Sequence, residues 1–261
     1  MVVIVLVSAA ASPGVTATGV GLSLMWPTDV LLVDADPHPT QAVLAGYLRG
    51  SHSGGAGLPE LARAAREGRP LAPQLLGESL PLAEGSTRRL FLPGFSNPGA
   101  ATLFGPLWPQ LADALTEHSR AGLTCLVDAG RIATEGPLAG LLSAADAVLV
   151  ATRSHLPALA ALRIYLPVLQ DLTQRFQSNA QVGLLVVGPD RPYRVPEVES
   201  QFGLPAWAAL PYDPAGAAVL AEGADEPRRF GDRPYVRALR EAASAIAARL
   251  QARRLRIQGV A

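Results

Sequence analysis

The chain has 261 residues, of which 49% are hydrophobic, enough for a single domain with a full apolar core over residues 1–261. Its 22 basic residues balance 22 acidic ones, which excludes a strong overall field toward nucleic acid or an anionic membrane. The one cysteine, Cys125, excludes an internal disulfide and is expected to be a buried, inert thiol in a reducing compartment.

The apolar N-terminal stretch is predicted to be a buried strand rather than a signal peptide. A signal peptide would start with a basic region, which is missing here, and the β-branched run from Val2 to Val5 suits a strand. No apolar run approaches the roughly 20 residues needed to span a bilayer. These features predict a cytoplasmic protein.

Short apolar runs alternate with helical stretches along the chain. Strands are predicted at residues 2–7, 30–33, 89–92, 123–127, 147–151, 182–187 and 206–210. Helices are predicted at residues 16–25, 40–48, 59–67, 107–118, 156–176, 195–202 and 235–254, and residues 70–86 are predicted to be irregular. Most of the apolar runs are continuous, which is typical of strands covered on both faces. The predicted fold class is therefore α/β, a doubly wound, mostly parallel sheet with helices on both faces.

The segment after the first strand has the spacing of a phosphate-binding loop. Ala9, Gly14 and Thr16 fit the P-loop pattern G-x-x-x-x-G-K-[ST], with Ala for its first Gly and Val15 for its Lys. All 22 basic residues of the chain are arginine, so no lysine from elsewhere can substitute. Pro13 also removes a backbone N–H from the loop. Each lost cationic contact should weaken ATP binding by about 2 kcal/mol, or about thirtyfold.

Carboxylates follow two of the predicted strands. Asp34 and Asp36 come directly after the second strand, and Asp128 comes after the strand that contains Cys125. These aspartates would face Thr16 at the start of a helix. Carboxylates and a hydroxyl in this arrangement hold hydrated Mg²⁺ beside phosphates. Simple turn chemistry after a strand remains the alternative for these aspartates.

The run 10–17 resembles the deviant Walker A loop of the ParA/MinD family, K-G-G-x-G-K-[ST]-T, with Ala10 at the signature lysine and Val15 at the phosphate lysine. The resemblance covers nearly the whole chain and is weakest over residues 51–122. It continues through the second motif at 31–37, the Walker B strand at 126–130, and residues 144–150, 203–205 and 210–213.

The resemblance assigns candidate roles to residues of the loop and the strand ends. ATP and Mg²⁺ would bind weakly or not at all, because both family lysines are missing. Asp36 is the candidate catalytic residue. The candidate nucleotide-binding residues are Ser12, Gly14, Val15, Thr16, Ala17 and Asp34, and the candidate Mg²⁺ site is Thr16, Asp36 and Asp128.

The family resemblance implies a degenerate positioning or scaffolding protein of the chromosome-partitioning, septum or pilus-localisation type, and so a pseudo-ATPase. The alternatives are a slow Mg²⁺-dependent ATP hydrolase of the same family, a TadZ/CpaE-like pilus assembly factor, or a metabolic enzyme on the same fold. Protein partners of a positioning, pilus or division system are expected, with recruitment to a pole or the membrane through them and with a homodimer as an option. Direct DNA contact is less favoured.

Arginines provide two further hypotheses. Arg131 and Arg153 each follow a strand end, where they are either surface residues or substitutes for the missing lysine. The basic C-terminal segment 249–257 is either a membrane-contacting helix or a helix end whose arginines suit its dipole, and the second reading is favoured.

Overall fold

One eight-stranded sheet organises the computed structural model, which describes residues 2–9, 13–51, 55–257 and 259. The strands are β1 (Val3–Ser8), β2 (Val30–Asp34), β3 (Leu80–Ala83), β4 (Arg89–Leu92), β5 (Thr124–Arg131), β6 (Ala147–Arg153), β7 (Gln181–Val187) and β8 (Ala206–Leu210). Their order across the sheet is β3-β4-β2-β5-β1-β6-β7-β8. β3 pairs antiparallel with β4, and the other neighbouring strands are parallel.

Helices cover both faces of this sheet. They are α1 (Val15–Met25), α2 (Leu58–Arg66), α3 (Leu71–Leu75), α4 (Pro98–Leu103), α5 (Trp108–Arg120), α6 (Pro137–Leu141), α7 (Leu156–Arg175), α8 (Val195–Phe202), α9 (Pro214–Ala221) and α10 (Pro234–Ile257). One apolar cluster lies under α2, α3, α5, α6 and α7, and a second lies under α1, α9 and α10. Two separate clusters are what a sheet covered on both faces requires, so the predicted doubly wound α/β fold is confirmed.

Two segments differ from the sequence-based expectation. Residues 70–86 were expected to be irregular, yet they contain α3 and β3. β3 lies at the sheet edge, includes Pro81 and buries only Leu82 among its four residues, so it lacks a continuous apolar run. The helix predicted at 40–48 is a π-helical segment, Ala42–Tyr47, which follows the left-handed residue Gln41.

The topology brings the carboxyl ends of β1, β2, β5, β6, β7 and β8 to one edge of the sheet. In open parallel sheets, ligands bind in the crevice at this edge. Among the described residues, no helix is both long enough and apolar enough to cross a membrane.

Candidate functional site

A cleft of about 450 Å³ opens at the carboxyl edge of the sheet. Its walls come from the loop after β1, the strand ends of β2, β5 and β6, the segment after β8, and the first turn of α10. Ser12 and Ala10 lie outside the described residues. The predicted site residues that line the cleft are Gly14, Val15, Thr16, Ala17, Asp36 and Asp128.

Gly14 forms the start of α1 at the floor of this cleft. Its φ of 93° and ψ of 37° are left-handed, and its carbonyl accepts the N–H of Thr18 at 2.9 Å. A Cβ at this position would meet nothing within 4 Å. The glycine is therefore needed for its left-handed backbone conformation and not for close packing. No side chain in the described part of the chain caps the helix start, and no acidic residue lies in its first turn. Such a helix start suits an anion.

Val15 occupies the first helical position, where the P-loop pattern places a lysine. Its side chain is 8% exposed and belongs to the apolar cluster under α1. It also lines the cleft, so this part of the wall presents methyl groups instead of an ammonium group. The helix start therefore offers an anion backbone dipoles but no cationic side chain of its own.

Thr16 and Asp128 contact each other directly across the cleft floor. The Thr16 hydroxyl donates to Asp128 Oδ2 at 2.7 Å, and the N–H of Gly130 donates to Asp128 Oδ1 at 3.0 Å. Asp128 is 3% exposed. Both oxygens of this buried carboxyl group are therefore held by donors within the chain.

Asp34 and Asp36 lie beside this pair at the end of β2. Asp34 is in register with Asp128 on the neighbouring strand, and its Oδ1 accepts the N–H of Asp36 at 3.3 Å. Asp36 Oδ1 in turn accepts the N–H of His38 at 2.8 Å. A Cβ on Gly130 would lie 2.5 Å from Asp36 Cγ, so the glycine lets this carboxyl group approach β5.

Burial, and secondarily the neighbouring carboxylates, raise the pKa values of Asp34 and Asp128. Burial, together with the charge of Asp128, raises the pKa of Asp34 to about 8. Burial also raises the pKa of Asp128 to about 6, although the hydrogen bond from Thr16 opposes this shift. The loop end of the cleft is thus rich in carboxyl groups whose ionisation is disfavoured without a cation.

The residues of the predicted Mg²⁺ site fit a hydrated ion rather than a protein cage. Thr16, Asp36 and Asp128 supply one hydroxyl and two carboxyl groups, and Mg²⁺ is commonly held by one or two carboxylates with waters and phosphates. In the described part of the chain, no three His, Cys, Asp or Glu residues group as a metal site. Bound Mg²⁺ would neutralise charge on a phosphate and relieve the repulsion among the carboxylates.

The far wall of the cleft contains a polar cluster that carries little signal in the sequence. Arg233 donates from Nε and Nη2 to the two oxygens of Asp213, both at 2.8 Å, and Asp213 also accepts the N–H of Gly216 at the start of α9. Tyr235 lines the same wall, and burial together with the charge of Asp213 raises the pKa of its hydroxyl to about 12. The available signal was Asp213 directly before a proline, a common helix start.

Arginines lie at the other end of the cleft. Arg131 and Arg153 both line it, as was considered from the sequence. Arg153 Cζ lies 5.4 Å from the ring centroid of Tyr212, and Arg191 Cζ lies 4.9 Å from the same centroid. Arg191 carries no sequence signal of its own, because only the fold brings the end of β7 against Tyr212 after β8.

Arginines of α10 contact the body of the domain. Arg249 Cζ lies 4.3 Å from the ring of Trp207, and Arg253 donates from Nη1 to the carbonyl of Asp146 at 2.9 Å. These two contacts hold α10 against Trp207 of β8 and against the residue before β6.

Comparisons with known proteins identify the fold. No protein-family model matches the chain, and no curated protein matches it. A ParA family ATPase from Chlorobium tepidum has 14% identity and a TM-score of 0.72 over 93% of this chain and 98% of its own. MinD in the Aquifex aeolicus MinC:MinD complex has 15% identity and a TM-score of 0.71 over 95% and 96%. An ATP complex of Cyanothece McdA has 17% identity and a TM-score of 0.69 over 95% and 96%. The chain therefore has the P-loop NTPase-like fold of these ATPases over nearly its whole length.

Proposed function

We propose that the chain is a degenerate member of the ParA/MinD family that acts as a positioning or scaffolding protein, with weak or no nucleotide binding. The shared fold and the cleft at the strand ends support the family assignment. The loss of the phosphate lysine supports the degenerate state. All 261 residues would form one domain of this type.

Val15 is the observation on which this proposal depends. A buried valine replaces the cation that would contact the terminal phosphates, and the chain contains no lysine. Charge-assisted hydrogen bonds are roughly twice as strong as neutral ones, so their loss removes a large share of phosphate affinity. Phosphoryl transfer relies on positioning and charge stabilisation, so hydrolysis should be impaired further.

Titration calorimetry with ATP·Mg²⁺ and with ADP tests the proposal. We expect a dissociation constant for ATP weaker than about 100 μM, since cationic phosphate contacts at the loop are missing. Thermal unfolding with the same ligands gives an independent reading, because a ligand that binds the folded state raises its stability. A low-micromolar constant for ATP would contradict the proposal.

Protein partners would connect this scaffold to a cargo. The Aquifex MinD relative is found in a complex with MinC, which supports partners of the protein kind for this chain. Chromosome, septum and pilus positioning, including the TadZ/CpaE type, remain the candidate systems. Recruitment to a pole or membrane would then follow from the partner, in a chain that is otherwise cytoplasmic.

A slow Mg²⁺-dependent ATPase is the second candidate function. The hydrogen bond between Thr16 and Asp128, with Asp36 close by, preserves the side chains that would hold Mg²⁺. If the chain hydrolyses ATP, Asp36→Ala should abolish the activity. Asp171→Ala, which changes an exposed residue of α7, should leave it intact. Activity that survives Asp36→Ala would point to a contaminating enzyme.

A further inference from the structure

A groove of about 440 Å³ lies between α7 and α8, away from the main cleft. None of its described lining residues lines the cleft, so the two sites are separate. Its size lies within the range of about 300–1,000 Å³ that is usual for small-molecule sites. We call it the α7–α8 groove, and the side chains that define it are Leu156, Leu159, Arg163, Glu197, Val198 and Phe202.

The floor of the groove is apolar. Leu159 and Val198 are 9% and 1% exposed and belong to the apolar cluster under α7, and Phe202 is partly buried against the same cluster. Leu156, at the start of α7, is 65% exposed. Covering these side chains would remove apolar surface from water, so the groove favours a ligand with an apolar body.

Arg163 provides the positive charge of the groove wall. It makes no hydrogen bond, ion pair or ring contact with any described residue. Acidic residues three or four positions away along a helix commonly pair with an arginine. At those positions α7 has only the apolar residues Leu159, Ala160, Leu166 and Pro167. The guanidinium group is therefore left with unused donors at the edge of an apolar surface.

The carboxylate of the groove, that of Glu197, is already compensated. The N–H of Arg194 donates to Glu197 Oε2 at 2.7 Å, and Arg194 Nη2 lies 3.6 Å from Oε1. The hydrogen bond from this N–H is the main reason that the pKa of Glu197 is lowered. Arg163 and Glu197 form no ion pair within 4 Å of each other. The groove thus combines an apolar floor with one uncompensated positive charge.

We propose that the α7–α8 groove binds a small amphipathic carboxylate, with its apolar chain against Leu159, Val198 and Phe202 and its carboxylate on Arg163. A planar guanidinium group presents paired donors that match the two oxygens of a carboxylate. A head group with a single negative charge also balances the single cation of the groove. This site does not depend on the scaffolding function proposed above.

Calorimetric titration of the full chain with sodium decanoate, below its micelle concentration, tests this assignment. We expect saturable binding of one decanoate per chain. Decylammonium chloride has the same chain and the opposite charge, so it should bind about tenfold or more weakly. Sodium butyrate has too short a chain to cover the floor and should not saturate over the same range. Equal affinity for decanoate and decylammonium would overturn the assignment of the carboxylate to Arg163.

Arg163→Gln tests the charged contact. Decanoate binding should weaken about fivefold or more, because a charge-assisted hydrogen bond is lost. Arg163 is exposed on α7, so the variant should keep the fold, which a thermal melt checks. Arg175→Gln is the matched control, because Arg175 is exposed on the same helix outside the groove, and its affinity should be unchanged. Equal weakening in both variants would indicate general charge attraction and would overturn the proposal.

Ala160→Trp tests the apolar part of the site. Ala160 lines the groove and is exposed, so the indole ring would occupy the groove without entering the core. Saturable decanoate binding should be lost. Gln170→Trp adds the same ring on an exposed part of α7 outside the groove and should bind as the parent does.

Two results would contradict the site itself. One is decanoate that still binds to a folded Ala160→Trp protein, and the other is a parent protein that binds no decanoate. Neither result bears on the titration with ATP·Mg²⁺, so the scaffolding function is tested separately.

Discussion

Val15 belongs both to the cleft wall and to the apolar cluster under α1. At the first position of a helix, a longer side chain can extend into the cleft while its methylene groups stay in contact with apolar neighbours. The backbone beside it has the left-handed Gly14 and a helix start that no described side chain caps. The loop can therefore be tested by restoring its charge.

Val15→Lys should strengthen ATP·Mg²⁺ binding by about tenfold or more, because one cationic phosphate contact is restored at a helix start that favours anions. The measurement is calorimetric titration of parent and variant side by side. Loss of the buried valine should also lower the melting temperature.

Val15→Ala is the control for this substitution. It removes the same packing without adding a charge, so it should lower stability and leave ATP affinity unchanged. A folded Val15→Lys protein that binds ATP no better than the parent would show that the loop is not a phosphate cradle.

Asp34 predicts a pH dependence of stability. Its pKa is raised from 3.8 to about 8 in the folded state, so between these values the folded chain holds a proton that the unfolded chain has lost. Stability should therefore fall as pH rises from about 4 to about 8, with a slope of up to about 1.4 kcal/mol per pH unit. Asp34→Asn cannot ionise, so its stability relative to the parent should increase with pH.

Denaturant unfolding at pH 6, 7 and 8 with a chelator present checks this prediction. The range from pH 6 to 8 reports mainly on Asp34, because the pKa of Asp128 is raised only to about 6. Asp171→Asn, on the exposed side of α7, should follow the parent at each pH. A constant stability difference between Asp34→Asn and the parent would contradict the expected shift.

The sequence predicts which residues line the cleft better than it predicts their burial and their contacts. The loop spacing and the aspartates after two strands place Gly14, Thr16, Asp36 and Asp128 in one site, because parallel strands end at the same edge. It does not predict that Val15 is buried or that Arg191 meets Tyr212. Those features depend on packing between segments that are distant along the chain.

The π-helical segment Ala42–Tyr47 packs closely against a neighbouring helix. It lies against α9, and a Cβ on Gly46 would lie 2.3 Å from the carbonyl oxygen of Ala221. Just after this segment, Arg49 forms an ion pair with Asp225, with 3.0 Å between Nη2 and Oδ1. The sequence predicts a helix here, but it does not predict the π-helical form or the close contact between Gly46 and α9.

Gly46→Ala should destabilise the fold, because the added methyl group meets backbone atoms that cannot rotate away. We expect a loss of about 2 kcal/mol or more in the free energy of unfolding, as for overpacking of a rigid site. Gly105→Ala is the control, since a Cβ there meets nothing within 4 Å and its φ is not left-handed. Similar stability of the two variants would contradict the close approach of Gly46 to α9.

The strands show which elements sequence can predict and which it cannot. Each of the seven predicted strands corresponds to a strand of the sheet, and most of them are continuous buried runs. β3 was missed because it buries only Leu82 and contains a proline. The short helices α3, α4 and α6, of five or six residues, provide too little periodicity for recognition.

At the scale of the whole molecule, we expect the absence of lysine to affect assembly as well as ligand binding. The ParA/MinD resemblance implies a face-to-face dimer through nucleotide, in which the signature lysine crosses the interface. Ala10 stands at that position in this sequence and cannot make the contact. A dimer of this chain would need apolar and arginine contacts that do not involve ATP, over an interface of about 1,200 Å² or more.

We therefore predict an oligomeric state that does not respond to ATP, with a homodimer ahead of a monomer. Light scattering after size exclusion, with and without ATP·Mg²⁺, measures the molar mass directly. The same mass should be found in both conditions, because neither a phosphate lysine nor a signature lysine is present to couple nucleotide to the interface. Val15→Lys provides a comparison, because this variant should bind ATP better but still has no lysine at position 10. Its molar mass should therefore also be the same with and without ATP·Mg²⁺. A shift from monomer to dimer on adding nucleotide to the parent protein would mean that the switch is intact, and the scaffold function proposed for this chain would then be wrong.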